Sequence, residues 1–359
     1  MKSKFQIDHW LLIPVTILII ISLVTLYSID VSYFKSQALS LVVGLIGYFI
    51  FSKINIEFLR NLKIPIYLGS TMLLLIVLVA GIEARGASRW FEIFGVRLQF
   101  SEILKPFLAL SFASAISDGG GKNFKSFIKI VVFMIPIVLL ITIQPDLGSG
   151  LLYAGAAFFT LLILGFSFRW FFVAGLPVLL SSPLIWSRLH GYQRQRVLTF
   201  LDQGGGDPLG TSYNGIQAII AVGSGSFLGK GISEGTQSVL RFLPERQTDF
   251  IFATIAEGLG FFGASIVIIA FLVILFRIYI LFRQEQDLFS KSFLATSFGF
   301  IFIQGFINIA MNMGLVPIVG ITFPFVSFGG SSLLSSFIFL GLISALVSKR
   351  HENKVLEIR

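Results

Sequence analysis

The sequence predicts an all-α polytopic membrane protein with about ten transmembrane helices, and three observations support this fold class. Hydrophobic residues make up 55% of the 359 residues and charged residues only 13%, a more apolar composition than a soluble domain needs. Apolar stretches of about 20 residues, the length that crosses the hydrocarbon of a bilayer, recur along the whole chain. Basic residues are scattered between these stretches, which suits membrane topology better than nucleic-acid binding.

Cysteine and histidine usage excludes several kinds of chemistry. The chain contains no cysteine, which rules out disulfides, thiolate metal sites and thiol catalysis. The three histidines, His9, His190 and His351, are far apart and form no ligand motif. The first apolar stretch, from Trp10, has no small-residue cleavage site followed by a soluble domain, so we interpret it as the first span.

The apolar stretches predict one integral membrane domain over residues 1–359, and ten crossings would place both termini on the same side. Residues 144–148 contain a proline and predict a tight turn between the fifth and sixth spans. The eighth span is long enough to tilt or to protrude from the bilayer. The ten predicted spans are residues 10–28, 33–52, 64–82, 98–116, 127–144, 148–167, 169–187, 249–282, 290–316 and 324–347.

The distribution of positive charge predicts the orientation of these spans. Sixteen lysines and arginines flank the spans on one side, whereas the short loops opposite contain only four, namely Lys35, Arg85, Arg89 and Arg97. Cytoplasmic loops carry the excess of positive charge in membrane proteins. We therefore expect cytoplasmic termini and an extracytoplasmic position for the 83–97 loop and for the long loop at about 188–248.

The longest polar segment of the chain runs directly into a long apolar one at residues 242–257. Asp249 and Glu257 are eight residues apart there, about two helical turns, so we expect them on one face of a helix. A carboxylate at the mouth of a span is costly unless it is paired or hydrated. The pair therefore predicts a polar cavity, although Thr248 or Asp249 is also expected to cap the eighth span.

The long loop contains amphipathic pieces joined by glycine-rich breakers, which suit a position along the membrane surface. Its basic residues face either an anionic ligand or lipid head groups, or they form a solvated surface that holds the loop near the bilayer. These residues are Arg188, Arg194, Arg196, Lys230, Arg241 and Arg246.

The glycine-rich stretch at residues 223–231 has the composition of a phosphate-binding loop but not its spacing. Ser224 stands where the first glycine would be, and neither serine nor threonine follows Lys230. We therefore interpret the stretch as a flexible loop.

Charged residues inside or beside the spans are further candidates. Glu102 and Lys105 are three residues apart in the fourth span and can pair, either as a self-compensating ion pair or as a lining of the cavity. The second interpretation is favoured because intramembrane charges are usually functional. Arg89, next to Trp90, either anchors the chain at the membrane interface or contacts a phosphate. Asp146 either caps the sixth span or belongs to the site.

Residues 317–332 interrupt the apolar pattern with prolines, glycines and hydroxyl side chains. Irregular backbone at membrane depth persists only where it is buried in protein or lines water. The segment therefore predicts another wall of the same cavity.

Six motifs, in order along nearly the whole chain, resemble the SEDS (shape, elongation, division and sporulation) family of bacterial peptidoglycan glycosyltransferases. Residues 192–196 and 315–320 are more similar to the rod-shape, RodA-like branch of that family than to its division branch. The motifs are Gly86-Ala-Ser-Arg-Trp90, Gln99-Phe-Ser-Glu-Ile-Leu-Lys105, Gln144-Pro-Asp-Leu-Gly148, Tyr192-Gln-Arg-Gln-Arg-Val197, Leu243-Pro-Glu-Arg-Gln-Thr-Asp-Phe-Ile-Phe252 and Pro324-Phe-Val-Ser-Phe-Gly-Gly-Ser331.

The resemblance implies a multi-pass protein of the bacterial cytoplasmic membrane that acts in cell elongation and rod-shape maintenance. It implies polymerisation of lipid II, the undecaprenyl-pyrophosphate-linked disaccharide-peptide, into glycan strands outside the membrane. It also implies a class B penicillin-binding protein partner that cross-links the strands. Asp249 matches the catalytic residue of the family, and functionally important positions are matched by Arg89, Glu102, Lys105 and Asp146.

The chemistry of such a transfer fits these residues. A base must take a proton from the acceptor hydroxyl, and positive charge must stabilise the departing pyrophosphate. We predict Asp249 as the catalytic residue and either arginine and lysine side chains or a divalent cation such as Mg²⁺ or Mn²⁺ at the pyrophosphate. A lipid II flippase and a non-enzymatic scaffold for the penicillin-binding protein remain alternatives. The predicted substrate-binding residues are Arg89, Glu102, Lys105, Asp146, Arg194, Arg196 and Glu257.

Overall fold

A computed structural model describes residues 8–84, 87–93, 96–119, 121–189, 191–201 and 212–357. These residues form sixteen helices and one small sheet. The first eight helices are α1 His9–Ile29, α2 Val31–Ser52, α3 Ile56–Asn61, α4 Lys63–Ala80, α5 Phe100–Ile103, α6 Lys105–Ser117, α7 Phe124–Ile143 and α8 Leu147–Ile163. The others are α9 Phe168–Leu180, α10 Ser182–Arg188, α11 Gly191–Leu201, α12 Tyr213–Ser224, α13 Thr236–Val239, α14 Ile251–Gln284, α15 Leu288–Asn312 and α16 Gly330–Glu357.

The helices establish a multi-pass membrane protein. Among the described residues, seven helices are long and apolar enough to cross a bilayer, and α9 with α10, bent by 51°, would make an eighth. The predicted fourth span is divided into α5 and α6, and the sixth corresponds to α8, an apolar helix of 17 residues. The all-α membrane class is thus confirmed, while the count of ten spans stays a prediction.

The helices differ in how deeply they are buried. Large apolar side chains such as Val79 and Phe172 are exposed on the outer helices, as expected where lipid rather than water is the solvent. By contrast, α15 and the first part of α16 are mostly buried. Helix α15 packs against α6, α8 and α14, and α16 packs against α2. These two C-terminal helices therefore form the centre on which the site is built.

The segment predicted as the 83–97 loop contains a three-stranded antiparallel sheet instead of only irregular chain. Its strands are β1 Ile82–Ala84, β2 Ala87–Ile93 and β3 Val96–Leu98, in the order β1-β2-β3. Only two residues separate successive strands, and the second of each two is a glycine, Gly86 or Gly95, a pattern typical of hairpins. The sheet fixes Arg89 and Trp90 on its central strand.

Helix α14 is broken inside its apolar run. Gly260 has φ +67° and ψ −164°, a conformation that only glycine adopts readily. The glycine-rich stretch lies along this break: Phe261 N donates to Ser226 O at 2.9 Å, and Lys230 N donates to Glu257 O at 3.0 Å. The interpretation of this stretch as a flexible loop is therefore wrong, because its backbone satisfies the groups that the break in α14 leaves free.

The long loop at about 188–248 contains, among its described residues, the three helices α11, α12 and α13. The predicted amphipathic pieces at 192–202 and 213–221 correspond to α11 and α12. The glycine-rich breaker at 204–210, together with Asp202 and His190, lies outside the described residues.

Candidate active site

A cavity of about 370 Å³ brings together segments that are far apart in the sequence. It is lined by the central strand of the sheet, the start of α5, the turn between α7 and α8, helix α11 and residues 245–249. Residues 317–322 and 328–332 complete it, which confirms the prediction that this irregular segment forms a wall of a polar cavity. The predicted site residues that line it are Arg89, Glu102, Asp146, Arg196 and Asp249.

Asp249 lies in a turn that precedes α14 rather than in the helix itself. Phe250 occupies the N-cap position of α14 without a side-chain cap, so the expectation that Thr248 or Asp249 caps this helix is wrong. The backbone oxygen of Asp249 accepts hydrogen bonds from Asn308 Nδ2 at 3.0 Å and Asn312 Nδ2 at 2.9 Å. The carboxylate is thus presented to the cavity from a backbone that α15 holds in place.

Glycine at position 320 lies opposite this carboxylate. Gly320 has φ +71°, and a Cβ added there would lie 3.4 Å from Asp249 Oδ2. Any larger side chain would therefore crowd the carboxylate in addition to straining the backbone.

Glu257 does not share a helix face with Asp249, because Asp249 precedes the helix; that part of the prediction is wrong. Its carboxylate is fully buried and lies outside the residues that line the cavity. It accepts hydrogen bonds from Gln237 N at 2.9 Å, Ser238 N at 2.9 Å and Ser238 Oγ at 2.7 Å. Lys230 Nζ lies 3.7 Å away. Glu257 thus clamps the long loop to α14, and its position does not support the predicted role in substrate binding.

Glu102 and Lys105 pair as predicted, but they do not share one helix, because Glu102 lies in α5 and Lys105 begins α6. Lys105 Nζ lies 2.6 Å from Glu102 Oε2, and both side chains are buried. Lys105 Nζ also donates a hydrogen bond to Gln304 Oε1 at 3.0 Å. The amide nitrogen of Gln304, Nε2, in turn donates to Thr322 Oγ1 at 2.9 Å. Glu102 lines the cavity whereas Lys105 lies behind it, so the ammonium acts on the cavity only through its partners.

Asp146 combines both of the roles considered for it. Its Oδ1 accepts from Ser149 N at 3.1 Å, which caps α8. Its Oδ2 accepts from Gln99 Nε2 at 2.9 Å, and Arg89 Nη1 lies 3.6 Å from Oδ1. The buried Arg89 Nε has no hydrogen-bond partner within the described ranges. Arg89 therefore keeps a donor for an anion while Asp146 holds its position.

The basic residues of the long loop do not form one surface. Arg196 lines the cavity, but Arg194 donates to Ser187 O at 2.6 Å and does not line it. Lys230 lies beside Glu257. Arg246 is buried, and burial, reinforced by the nearby Arg241, lowers the pKa of its guanidinium below the usual value; an arginine nevertheless stays charged.

Three amide side chains on α15 were not predicted from the sequence. Gln304, Asn308 and Asn312 recur every four residues on one face and are 4%, 0% and 0% exposed. Amides at this spacing within an apolar helix were the available signal. Glu245 was not predicted either. It lines the cavity and accepts a hydrogen bond from Thr248 Oγ1 at 3.1 Å.

The carboxylates of the cavity do not form a ready-made metal cage. In the parts of the chain that the structure describes, no group of three histidine, cysteine, aspartate or glutamate side chains could hold a metal ion.

Comparisons with known proteins identify the family. The family model FTSW_RODA_SPOVE, described as "Cell cycle protein", matches residues 3–352. The chain is 34% identical over 354 residues to "Peptidoglycan glycosyltransferase MrdB" of Escherichia coli (strain K12), covering 97% of this chain and 95% of that protein.

Solved structures agree. A chain from "Structural coordination of polymerization and crosslinking by a peptidoglycan synthase complex" superposes with a TM-score of 0.81 at 28% identity, over 96% of this chain and 98% of that one. Rod shape determining protein RodA of Thermus thermophilus gives a TM-score of 0.71 at 25% identity, over 95% and 96%. The resemblance stated from the motifs is confirmed, and the chain belongs to the FtsW, RodA and SpoVE family.

Proposed function

We propose that the chain polymerises lipid II into glycan strands at the outer face of the bacterial cytoplasmic membrane, with Asp249 as the general base. The activity itself, peptidoglycan glycosyltransferase, is the one named for its relatives. The observation that carries the residue assignment is the position of Asp249 in the cavity wall, with the cations Arg89 and Arg196 lining the same cavity.

The proposed reaction divides the charges of the cavity between two tasks. Asp249 takes the proton of the acceptor hydroxyl as its oxygen bonds to the anomeric carbon of the donor sugar. The bond from that carbon to the pyrophosphate oxygen breaks, and the lipid pyrophosphate leaves with the electron pair. Arg89 and Arg196 stabilise this developing negative charge. The unpartnered Nε of Arg89 supports its role, because a buried donor needs an acceptor.

The amides of α15 position the reacting carboxylate. Asn308 and Asn312 both donate to the backbone oxygen of Asp249, and Gln304 links the buried Glu102 and Lys105 pair to the cavity wall at Thr322. Because a displacement of about 1 Å can cost about 10²-fold in rate, these contacts matter for catalysis without touching substrate.

A divalent cation such as Mg²⁺ or Mn²⁺ belongs to the proposal only as a substrate-borne ion. Mg²⁺ is commonly bound through one or two carboxylates together with substrate phosphates. Glu245 lines the cavity and could supply such a carboxylate, which leaves Asp249 as the base. The ion would neutralise the pyrophosphate as it leaves.

The proposal also covers the orientation of the protein in the membrane and its partner. The cytoplasmic termini and the outward cavity are supported by the distribution of positive charge. A class B penicillin-binding protein partner and a role in elongation and rod shape are supported by the superposition on a chain from a synthase complex that coordinates polymerization and crosslinking, and by the likeness to RodA. Reporter fusions that place residues 83–97 or 188–248 in the cytoplasm would contradict the outward site.

The decisive experiment is strand synthesis by the purified protein from lipid II in detergent, without a partner. Detergent has no second leaflet, so a lipid II flippase gives no product, and a scaffold for a penicillin-binding protein gives none either. The polymerase gives glycan strands that lysozyme digests. A well-folded preparation that produces no strands would contradict the proposal.

A further inference from the structure

A second, mostly apolar cavity of about 140 Å³ adjoins the polar one. Helices α11 and α12 and residues 311–318 line it. Its walls are mainly side chains such as Phe200, Ile216, Ile219 and Ile318. The proposed reaction gives this cavity no role.

Two residues belong to both cavities. Arg196 and Pro317 line the apolar cavity and the polar one. An arginine at the boundary between a polar and an apolar space suits a molecule that carries an anionic group joined directly to a hydrocarbon. A pyrophosphate attached to a prenyl chain has this chemistry.

The size of the apolar cavity limits what it can hold. A space of about 140 Å³ lies below the range of about 300–1,000 Å³ of ordinary ligand pockets, so it suits a short hydrocarbon segment of a few carbons. This is close to the five carbons of a single isoprene unit. The cavity cannot hold a whole prenyl tail, and the rest of the tail must remain in the membrane.

The surroundings of the cavity allow a tail to leave towards lipid. Leu198 and Leu201 on α11 and Ile219 and Ile220 on α12 are exposed apolar side chains. Helices at a membrane interface present such a surface to the acyl boundary.

On these grounds we infer that the cavity between α11, α12 and residues 311–318 binds the isoprene unit next to the pyrophosphate of a lipid-linked substrate. The inference rests on the proposed function and names a subsite within it. A prenyl carbon moves here from lipid, which is equally apolar, so the cavity gains little affinity from burial. Its effect is to orient the pyrophosphate at Arg196.

Two glycines of α12 provide a matched test. A Cβ at Gly215 would lie 3.5 Å from Ile318 Cδ1, at the wall of the cavity, whereas a Cβ at Gly223 meets nothing within 4 Å. Leucine at either position improves helix propensity equally. Only Gly215→Leu fills the cavity.

We expect Gly215→Leu to lower kcat/KM for lipid II by about tenfold to 10²-fold, as for a misplaced reacting group. Gly223→Leu should stay within about twofold of wild type, as a surface substitution does. Equal activities of the two folded variants would overturn the subsite. An inactive wild type would instead contradict the proposed polymerase, so the two failures are distinguishable.

A binding measurement keeps the inference testable if Gly215→Leu fails to fold. The wild-type protein is irradiated with an undecaprenyl pyrophosphate analogue that carries a diazirine in its first isoprene unit. Labelled peptides should contain Ile216, Ile219 or Ile318, and unlabelled undecaprenyl pyrophosphate should compete. Labelling confined to lipid-facing helices such as α9 would refute the subsite.

Discussion

Two carboxylates eight residues apart, Asp249 and Glu257, occupy opposite kinds of surroundings. Asp249 lies in a turn and lines the polar cavity. Glu257 is fully buried within α14 and accepts hydrogen bonds from two backbone amides and a hydroxyl of the long loop. Asp249 is held through its backbone oxygen, and its carboxylate lies at the cavity. Glu257 is held through its carboxylate.

The difference shows how an acidic side chain near a membrane span can serve either chemistry or assembly. A carboxylate whose lone pairs are already occupied by donors of the protein has little room for the hydroxyl of a substrate. One that lines a cavity can take a proton from such a hydroxyl. Substitutions in one region or the other should therefore separate effects on folding from effects on catalysis.

The largest effect is expected at Asp249. Asp249→Asn keeps the size and polarity of the side chain but removes proton acceptance, so glycan synthesis should fall by about 10²- to 10⁴-fold. Thermal stability and lipid II binding should stay near wild type, because the contacts from α15 reach the backbone oxygen. Single-turnover polymerisation by the purified variant, beside a melting curve, provides the check.

Asp249→Glu is the control for position. It retains a base but moves it by about one methylene, and a displacement of roughly 1 Å can cost about 10²-fold. Comparable rates for wild type and Asp249→Asn would remove Asp249 from the mechanism.

The next largest effect is expected at the buried ion pair. Glu102→Ala leaves Lys105, which is 1% exposed, without its anionic partner, and breaking such a pair costs about 3–5 kcal/mol. The exchange Glu102→Lys with Lys105→Glu should restore folding better than activity, because only position 102 lines the cavity. The yield, melting temperature and polymerisation rate of wild type, Glu102→Ala and the exchanged variant test this prediction. Wild-type polymerisation by Glu102→Ala would show that the pair is dispensable.

A smaller effect is expected at Gly320, opposite the Asp249 carboxylate. Gly320→Val places a branched side chain against Asp249 Oδ2 at a backbone φ of +71°, which should lower the rate by about tenfold to 10²-fold. Gly165→Val is the matched control, because Gly165 has φ +83° and lies between α8 and α9, away from the cavity. Both variants should lose about 1–3 kcal/mol to backbone strain. Equal specific activities of Gly320→Val and Gly165→Val would mean that crowding of the Asp249 carboxylate has no effect on the rate.

Much of this arrangement could be predicted because it follows from local sequence. Apolar stretches predicted the long helices, the irregular segment at 317–332 predicted a cavity wall, and the spacing of Glu102 and Lys105 predicted their pairing. Each inference needed only the membrane as solvent and the geometry of one helix.

The features that were missed depend on contacts between distant segments. Gln304 meets Lys105 across 199 residues, and Asn308 meets Asp249 across 59, so nothing beside these amides in the sequence indicated their partners. The glycine-rich stretch at residues 223–231 was interpreted as flexible because the sequence does not show its partner. That partner is the break at Gly260 in α14. Glu257 was paired with Asp249 because the helix was expected to begin two residues too early.

The smallest effect, and the sharpest test of the comparison, is expected from Glu257→Gln. It is the same chemical change as Asp249→Asn, a carboxylate replaced by an amide of equal size. The amide nitrogen would face one of the donors at Gln237 or Ser238, which leaves a buried donor unsatisfied and costs about 1–3 kcal/mol. We therefore expect a lower melting temperature and faster proteolysis of residues 230–238, while the folded fraction polymerises lipid II at a rate within about twofold of wild type. The two amide variants should thus show opposite profiles, one stable and inactive, the other less stable and active. A Glu257→Gln protein that keeps wild-type stability but loses turnover would show that Glu257 takes part in catalysis. The contrast between the two carboxylates would then be wrong, because a residue that only clamps the loop cannot lower the rate of molecules that remain folded.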